Sequence, residues 1–281
     1  MDYFKNSFHR NSCIFTREEI DKKRQQANDN AIKELKAHLF LDDLTAPLTI
    51  QEEALMTRFY LLKIQDVCRH FKFPITVGPV ASWLLLRHSL TSSWMQVEAK
   101  HTMLACVLLA SKCENLHLTL EQFANRVPNT KIELLVECEM KVLQAVEYQI
   151  CFFQPIEVLG ALLADLKIWC KQERDQTIMW DEQIVKKAVG FLNKFAASEL
   201  VLLCTPFALA TLALLQLDEQ NLLIERYLQQ RLSKLDHQIK VALENIDQSM
   251  ATIADTRVDT ELVKAIDRRL LTIRNKLKDN K

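Results

Sequence analysis

The sequence predicts an all-α protein: two five-helix units in tandem, flanked by an N-terminal and a C-terminal helix. Three observations carry that prediction. Only three glycines and six prolines occur in 281 residues, while Leu, Ala, Lys, Glu and Gln dominate, so helix formers abound and tight-hairpin residues are scarce. The helical segments fall into two series of similar length and rhythm. In each series the third segment is apolar all round, "HTMLACVLLASK" in the first and "PFALATLALLQL" in the second. A helix apolar on every side must be surrounded by others.

The elements follow in order. Residues 1–15 are polar and aromatic without period and read as a flexible arm. From Thr16 a capping box, Thr16 with Glu19, opens a charged helix with a narrow apolar stripe of Ile20, Ala27, Ala31 and Leu35. A helix so polar is stable only against something larger. "LDDLTAPLT" connects it to the first series, expected at about 49–71, 76–90, 97–112, 119–126 and 130–150. Pro155 opens the second, at about 155–170, 181–197, 206–217, 219–231 and 233–253. A last helix follows "ADTRVD", with Leu262, Ile266, Leu270, Ile273 and Leu277 as its docking stripe. Its end is basic, seven Lys/Arg against two Asp from Lys264 onward; such a face also suits the negative end of a helix dipole. The expected divisions are 1–48 (arm and helix), 49–152 (first unit), 153–254 (second unit) and 255–281 (C-terminal helix).

Composition excludes several function classes. With formal net charge zero the chain lacks the basic excess of a phosphate-gripping protein, which argues against nucleic acid as a direct partner. The eight cysteines form no C-x-x-C pair and lie mostly inside apolar helical patterns, as buried free thiols do. No metal site is expected. The opening "MDYFKNSFHRN" has no apolar core and does not read as a secretory signal. Leu200 to Leu217 is uncharged and long enough to resemble a membrane span. Thr205-Pro206 near its middle instead reads as an N-cap and first-turn proline, which splits the segment into two soluble elements. No Gly-rich phosphate loop, H-E-x-x-H or G-x-S-x-G occurs, so neither a catalytic residue nor a cofactor is expected.

Two charges stand where apolar residues are expected. Lys112 ends the buried third helix, one turn beyond Leu108 and Leu109, and Glu139 interrupts the stripe of the fifth, between Leu135 and Leu143. One reading has Lys112 snorkelling to water and Glu139 on the rim of the stripe. The other has both facing a groove and pairing with a partner, where satisfied charge pairs contribute to binding.

"LLASKCEN" and "ECEMKVLQAVEYQI" resemble the signatures that end the third helix and mark the fifth helix of the cyclin box. Within the cyclin family, "FTREEIDKKRQQAN", "EEALMTRFYLLKIQDVCRHF" and "FLNKFAASELVLLCTPFALATLALL" are similar to the cyclin H type, from about residue 12 to 250. The resemblance implies two cyclin folds and a non-catalytic subunit that binds and activates a cyclin-dependent kinase of the CAK type. It also allows a third assembly subunit and membership of TFIIH, and implies action on other such kinases and on the RNA polymerase II C-terminal repeats, and a nuclear location with the cytoplasm as an alternative. It assigns kinase binding to Lys112 and Glu139, with Cys113, Leu143 and Ile150 adding apolar area. Asn115 departs from the family, which usually has an acidic residue there, and the M-R-A-I-L motif of cell-cycle cyclins is missing from the first helix. The alternatives are a cyclin of the C or T type with a different kinase, and a cyclin-fold adaptor of the TFIIB kind without one.

Overall fold

The structure is a computed structural model that describes residues 13–38, 46–173, 182–196, 198–217, 222–232 and 258–279. Among them the regular elements are all helical: α1 Arg17–His38, α2 Ile50–Phe71, α3 Val77–Ser89, α4 Ala99–Cys113, α5 Leu120–Asn125, α6 Ile132–Ala145, α7 Pro155–Gln172, α8 Glu182–Ala196, α9 Leu200–Leu203, α10 Pro206–Leu215, α11 Leu222–Leu232 and α12 Thr260–Asp279. Most of the expected arm and the whole expected helix at 233–253 lie outside the described residues.

The chain divides into two compact units. One joins residues 15–150 with 256–281; the other joins 151–255 with 1–14. The first therefore holds α1, α2 to α6 and α12.

Within that unit, helix starts are set by side chains the sequence names. Thr49 and Glu52 cap α2 reciprocally, as Thr119 and Gln122 cap α5. At α1 the Thr16 amide donates to Glu19 at 2.8 Å, and the Glu19 amide donates back to Thr16 Oγ1 at 3.2 Å. Each such box satisfies amides that would otherwise lack partners and contributes about 1 kcal/mol. In α4 every residue from His101 to Ser111 is buried, so it is the axis of the bundle. The stripe of α1, Ile20, Ala27, Ala31 and Leu35, is buried as expected. The α12 stripe differs by one position: Val263, Ile266, Leu270 and Ile273 are buried, while Leu262 is 46% exposed. Steps of four overshoot the 3.6-residue turn, so two in succession carry the first residue off the face. The side chain of Leu277 lies outside the described residues.

α3 is as buried as α4 from Val77 to His88, although its sequence carries Arg87 and His88. Arg87 is accommodated by laying its guanidinium over the Phe15 ring, 5.3 Å from the centroid, with Lys23 of α1 at 5.7 Å from the same ring. Such contacts let a cation sit at an apolar surface.

In the other unit, Leu200–Leu217 splits as the Thr-Pro pair implies. α9 ends at Leu203, Thr205 Oγ1 accepts the Ala208 amide at 3.1 Å, and Pro206 begins α10. From Ala208 to Leu215 α10 is wholly buried. Among the described residues no helix is long and apolar enough to cross a membrane. α7 and α11 are laced by polar bonds: Tyr227 hydroxyl to Asp165 at 2.8 Å, Trp169 Nε1 to Gln230 at 2.9 Å and Arg226 to Glu173 at 2.7 Å.

Candidate partner-binding site

α4 and α6 pack side by side, and their shared end carries the site. The other end is tied by His101, whose Nε2 accepts the Lys131 amide at 3.0 Å while Nδ1 faces Glu98 at 2.5 Å. A ring nitrogen that accepts an amide bears no proton, so the proton sits on Nδ1 towards the carboxylate. This fixes where α6 begins relative to α4.

At the far end Lys112 Nζ meets Glu139 Oε1 at 2.5 Å. The lysine side chain is 44% exposed and the carboxylate 11%, so the pair is open on the lysine side and seated on the glutamate side. Of the first reading, Lys112 reaches water and Glu139 lies at the edge of the buried stripe; the two side chains pair with one another, which neither reading named. With Glu139 largely withdrawn from water, loss of Lys112 would leave a carboxylate short of its partner, which costs more than loss of an open surface pair.

The end of α4 explains Asn115. The Asn115 amide donates to the Lys112 carbonyl at 3.1 Å and the Leu116 amide to the Ser111 carbonyl at 2.9 Å, a Schellman cap. Its central residue must be left-handed, and Asn115 has φ 56°. Asparagine tolerates that conformation better than most residues, so here it serves the backbone.

Of the other expected residues, Cys113 and Leu143 are half-buried and Ile150 is 38% exposed. Burial pushes the Cys113 thiol above its usual range and the neighbouring Glu114 adds to this, so it stays a protonated, weakly polar surface. The sequence reading missed Val136, Met140 and Tyr148, exposed at 43%, 46% and 60%. A signal was present: Leu135, Cys138 and Val142 make one buried face of α6, while Val136, Met140 and Leu143 recur at helical spacing as a second apolar face. Glu139 stands between the two. An apolar face ringed by charge and left in water marks an interaction surface. Among the described residues no three His, Cys, Asp or Glu side chains gather as a metal site.

Comparison with known proteins places the chain among its relatives. Residues 49–151, which include both Lys112 and Glu139, match the family model "Cyclin, N-terminal domain". The chain is 30% identical over 210 residues to Cyclin-H1-1 of Arabidopsis thaliana, covering 72% of this chain and 59% of that protein. It spans between 54% and 61% of the length of the first curated relatives it matches. A chain of the CAK complex from Chaetomium thermophilum bound to ATP-γ-S superposes with a TM-score of 0.77 at 16% identity, covering 97% of this chain and 89% of that one. A chain of the yeast TFIIK (Kin28/Ccl1/Tfb3) complex does so with 0.68 at 21% identity, covering 85% and 97%. At such identities the structural likeness establishes the fold, and the sequence matches carry the relationship. The chain belongs to the cyclin family.

Proposed function

We propose that this chain is a cyclin H-like regulatory subunit that binds and activates a cyclin-dependent kinase of the CAK type. In this reading residues 49–152 and 153–254 are its two cyclin folds, and the chain itself performs no chemistry. The observation that carries the proposal is the Lys112–Glu139 pair set beside the apolar face of α6. The pair offers a lysine with donor capacity to spare, since an ammonium has three N–H groups and one is used. Leu143, Ile150 and Cys113 would supply apolar area around it.

Activation on this reading is a population shift. A bundle whose central helices are buried throughout is stiff, so a kinase docked on it is held in the one arrangement that matches its surface. The favoured arrangement is the one with the kinase's own Lys–Glu pair complete, as phosphoryl transfer requires. A third assembly subunit, membership of TFIIH, action on other cyclin-dependent kinases and on the polymerase C-terminal repeats, and a nuclear location belong to the same proposal. Its support is the likeness to cyclin H proteins and to chains of the CAK and TFIIK complexes.

The test is co-expression with a CAK-type kinase, followed by size exclusion and an assay on a polymerase C-terminal-repeat peptide. Wild type should co-elute and activate. Lys112→Ala and Glu139→Ala should each weaken activation about tenfold or more with circular dichroism unchanged. Normal activation by both variants would remove the site; no complex with any such kinase would remove the function.

A further inference from the structure

Helices α1, α2, α5 and α6 of the first unit each start with the amide just ahead of the helix bonded to a side chain. For α1, α2 and α5 the acceptor is local: Glu19, Glu52 and Gln122 lie three residues on and close capping boxes. At α6 the arrangement differs. The residue ahead of it is Lys131, which gives no side-chain cap, and the residue three on is Leu134, which carries no acceptor. The acceptor comes from another helix: Nε2 of His101 on α4 takes the Lys131 amide at 3.0 Å. The start of α6 is therefore set by α4 and not by the local sequence of α6.

The neighbouring side chain works the same way. Lys100 Nζ donates to the Pro128 carbonyl at 2.5 Å and to the Asn129 carbonyl at 3.2 Å. Two consecutive residues of α4 thus hold the connector that leads into α6. The His101 ring is held in turn. It is 5% exposed, and Glu98, the N-cap of α4, takes the His101 amide at 2.7 Å and faces Nδ1 at 2.5 Å. Arg274 of α12 completes the surround, donating to the Val97 carbonyl at 2.5 Å and standing 3.7 Å from Glu98. A ring engaged at both nitrogens cannot turn without losing a bond.

We propose that His101 is a positioning residue for the partner-binding site, acting through the backbone of α6. The proposal rests on the kinase-binding reading of that site. From Lys131 to Glu139 the helix rises about 12 Å at 1.5 Å per residue. α4 meets this stretch by a polar bond at each end, His101 to the Lys131 amide and Lys112 to Glu139. Both contacts come from one buried helix, so α4 is the fixed frame against which Glu139 is set. The bond at the start removes the freedom of α6 to slide or tilt before a partner arrives. Preorganisation of this kind raises affinity because less remains to be ordered on binding.

The experiment measures affinity of the full chain for a catalytically inactive CAK-type kinase, thermal unfolding of each variant, and the carbon-13 carboxyl signal of Glu139 in the free chain. His101→Phe keeps the bulk and loses the acceptor; it should bind about fivefold more weakly and move the Glu139 signal. His101→Gln restores an acceptor and should bind within about twofold of wild type. Thr49→Ala, which removes the cap of α2 in the same unit, should lower the melting temperature about as much as His101→Phe does. It should leave affinity and the Glu139 signal unchanged. If Lys112→Ala binds weakly while His101→Phe binds as wild type, the positioning role is overturned and the site stands. If Thr49→Ala weakens binding as His101→Phe does, or His101→Gln fails to rescue, the effect is one of general stability and the role is overturned. If wild type binds no such kinase, the site reading fails and the role in binding fails with it, whatever the Glu139 signal does.

Discussion

His88 shows how much a single buried side chain can set. It lies on α3, 1% exposed, and its Nε2 makes no hydrogen bond. Burial, with the positive charge of Lys141 adding, lowers its pKa from 6.5 to about 4. Folded protein therefore keeps the ring neutral down to about pH 4, while the unfolded chain takes up a proton near pH 6.5. Stability from this group is whole above pH 6.5, falls as pH drops through that window, and levels off below the folded value. At about 1.4 kcal/mol per pH unit the loss approaches 3 kcal/mol. Urea titrations of wild type and His88→Leu at pH 7 and pH 4.5 check this: the variant should lose much less stability between the two. Equal losses would mean that His88 is not the acid-sensitive group. Its burial is not announced by residue pattern, since Arg87 and His88 stand together near the end of α3.

At the level of elements, adjacent carboxylates at the start of α2 serve the two terminal helices. Glu52 closes its own cap on Thr49 and meets Arg269 of α12 at 2.5 Å, with the arginine side chain 27% exposed and the glutamate 21%. Glu53 accepts from the Ser93 hydroxyl; burial raises its pKa, while hydrogen bonds from Ser93 and Asn28 and the charge of Arg24, both of α1, oppose the rise. One carboxylate thus grips the C-terminal helix and the next faces the N-terminal one. Arg269→Ala should cost about 2 kcal/mol, because a mostly buried carboxylate loses its counter-charge. A double-mutant cycle with Glu52→Gln, read by chemical denaturation, should give a coupling of about 1 kcal/mol or more; additive losses would make the ion pair idle. Capping boxes at Thr16, Thr49 and Thr119 begin helices where the local sequence places them. The docking face of α12 slipped by one residue because periodicity alone does not choose between Leu262 and Val263; the surface it lands on does.

For the molecule as a whole, what was legible is what depends on composition and spacing: the all-helical class, the two apolar third helices and the split at Thr205-Pro206. Less legible was how a polar residue is sheltered. Arg87 of α3 is covered by the ring of Phe15, just ahead of α1, a contact between segments some seventy residues apart. The candidate site divides the same way. Lys112 and Glu139 stand out by chemistry, but the exposure of Tyr148 follows from the turn after α6, which no residue pattern announces. A core organised around buried helices, α3 and α4 in one unit and α10 in the other, makes a mechanical prediction. Leu108 of α4 is fully buried and Leu212 of α10 is 1% exposed, so replacing either by alanine should cost about 3 kcal/mol through lost transfer energy and an unfilled cavity. Hydrogen exchange of the native protein should find its slowest amides in α4 and α10, with the ends of α1 and α12 opening far more readily. Leu108→Ala should then speed exchange in α4 and in the helices packed on it. Slowest exchange in α1 or α12 would mean that the terminal helices hold the bundle together, and the central helices would not be its axis.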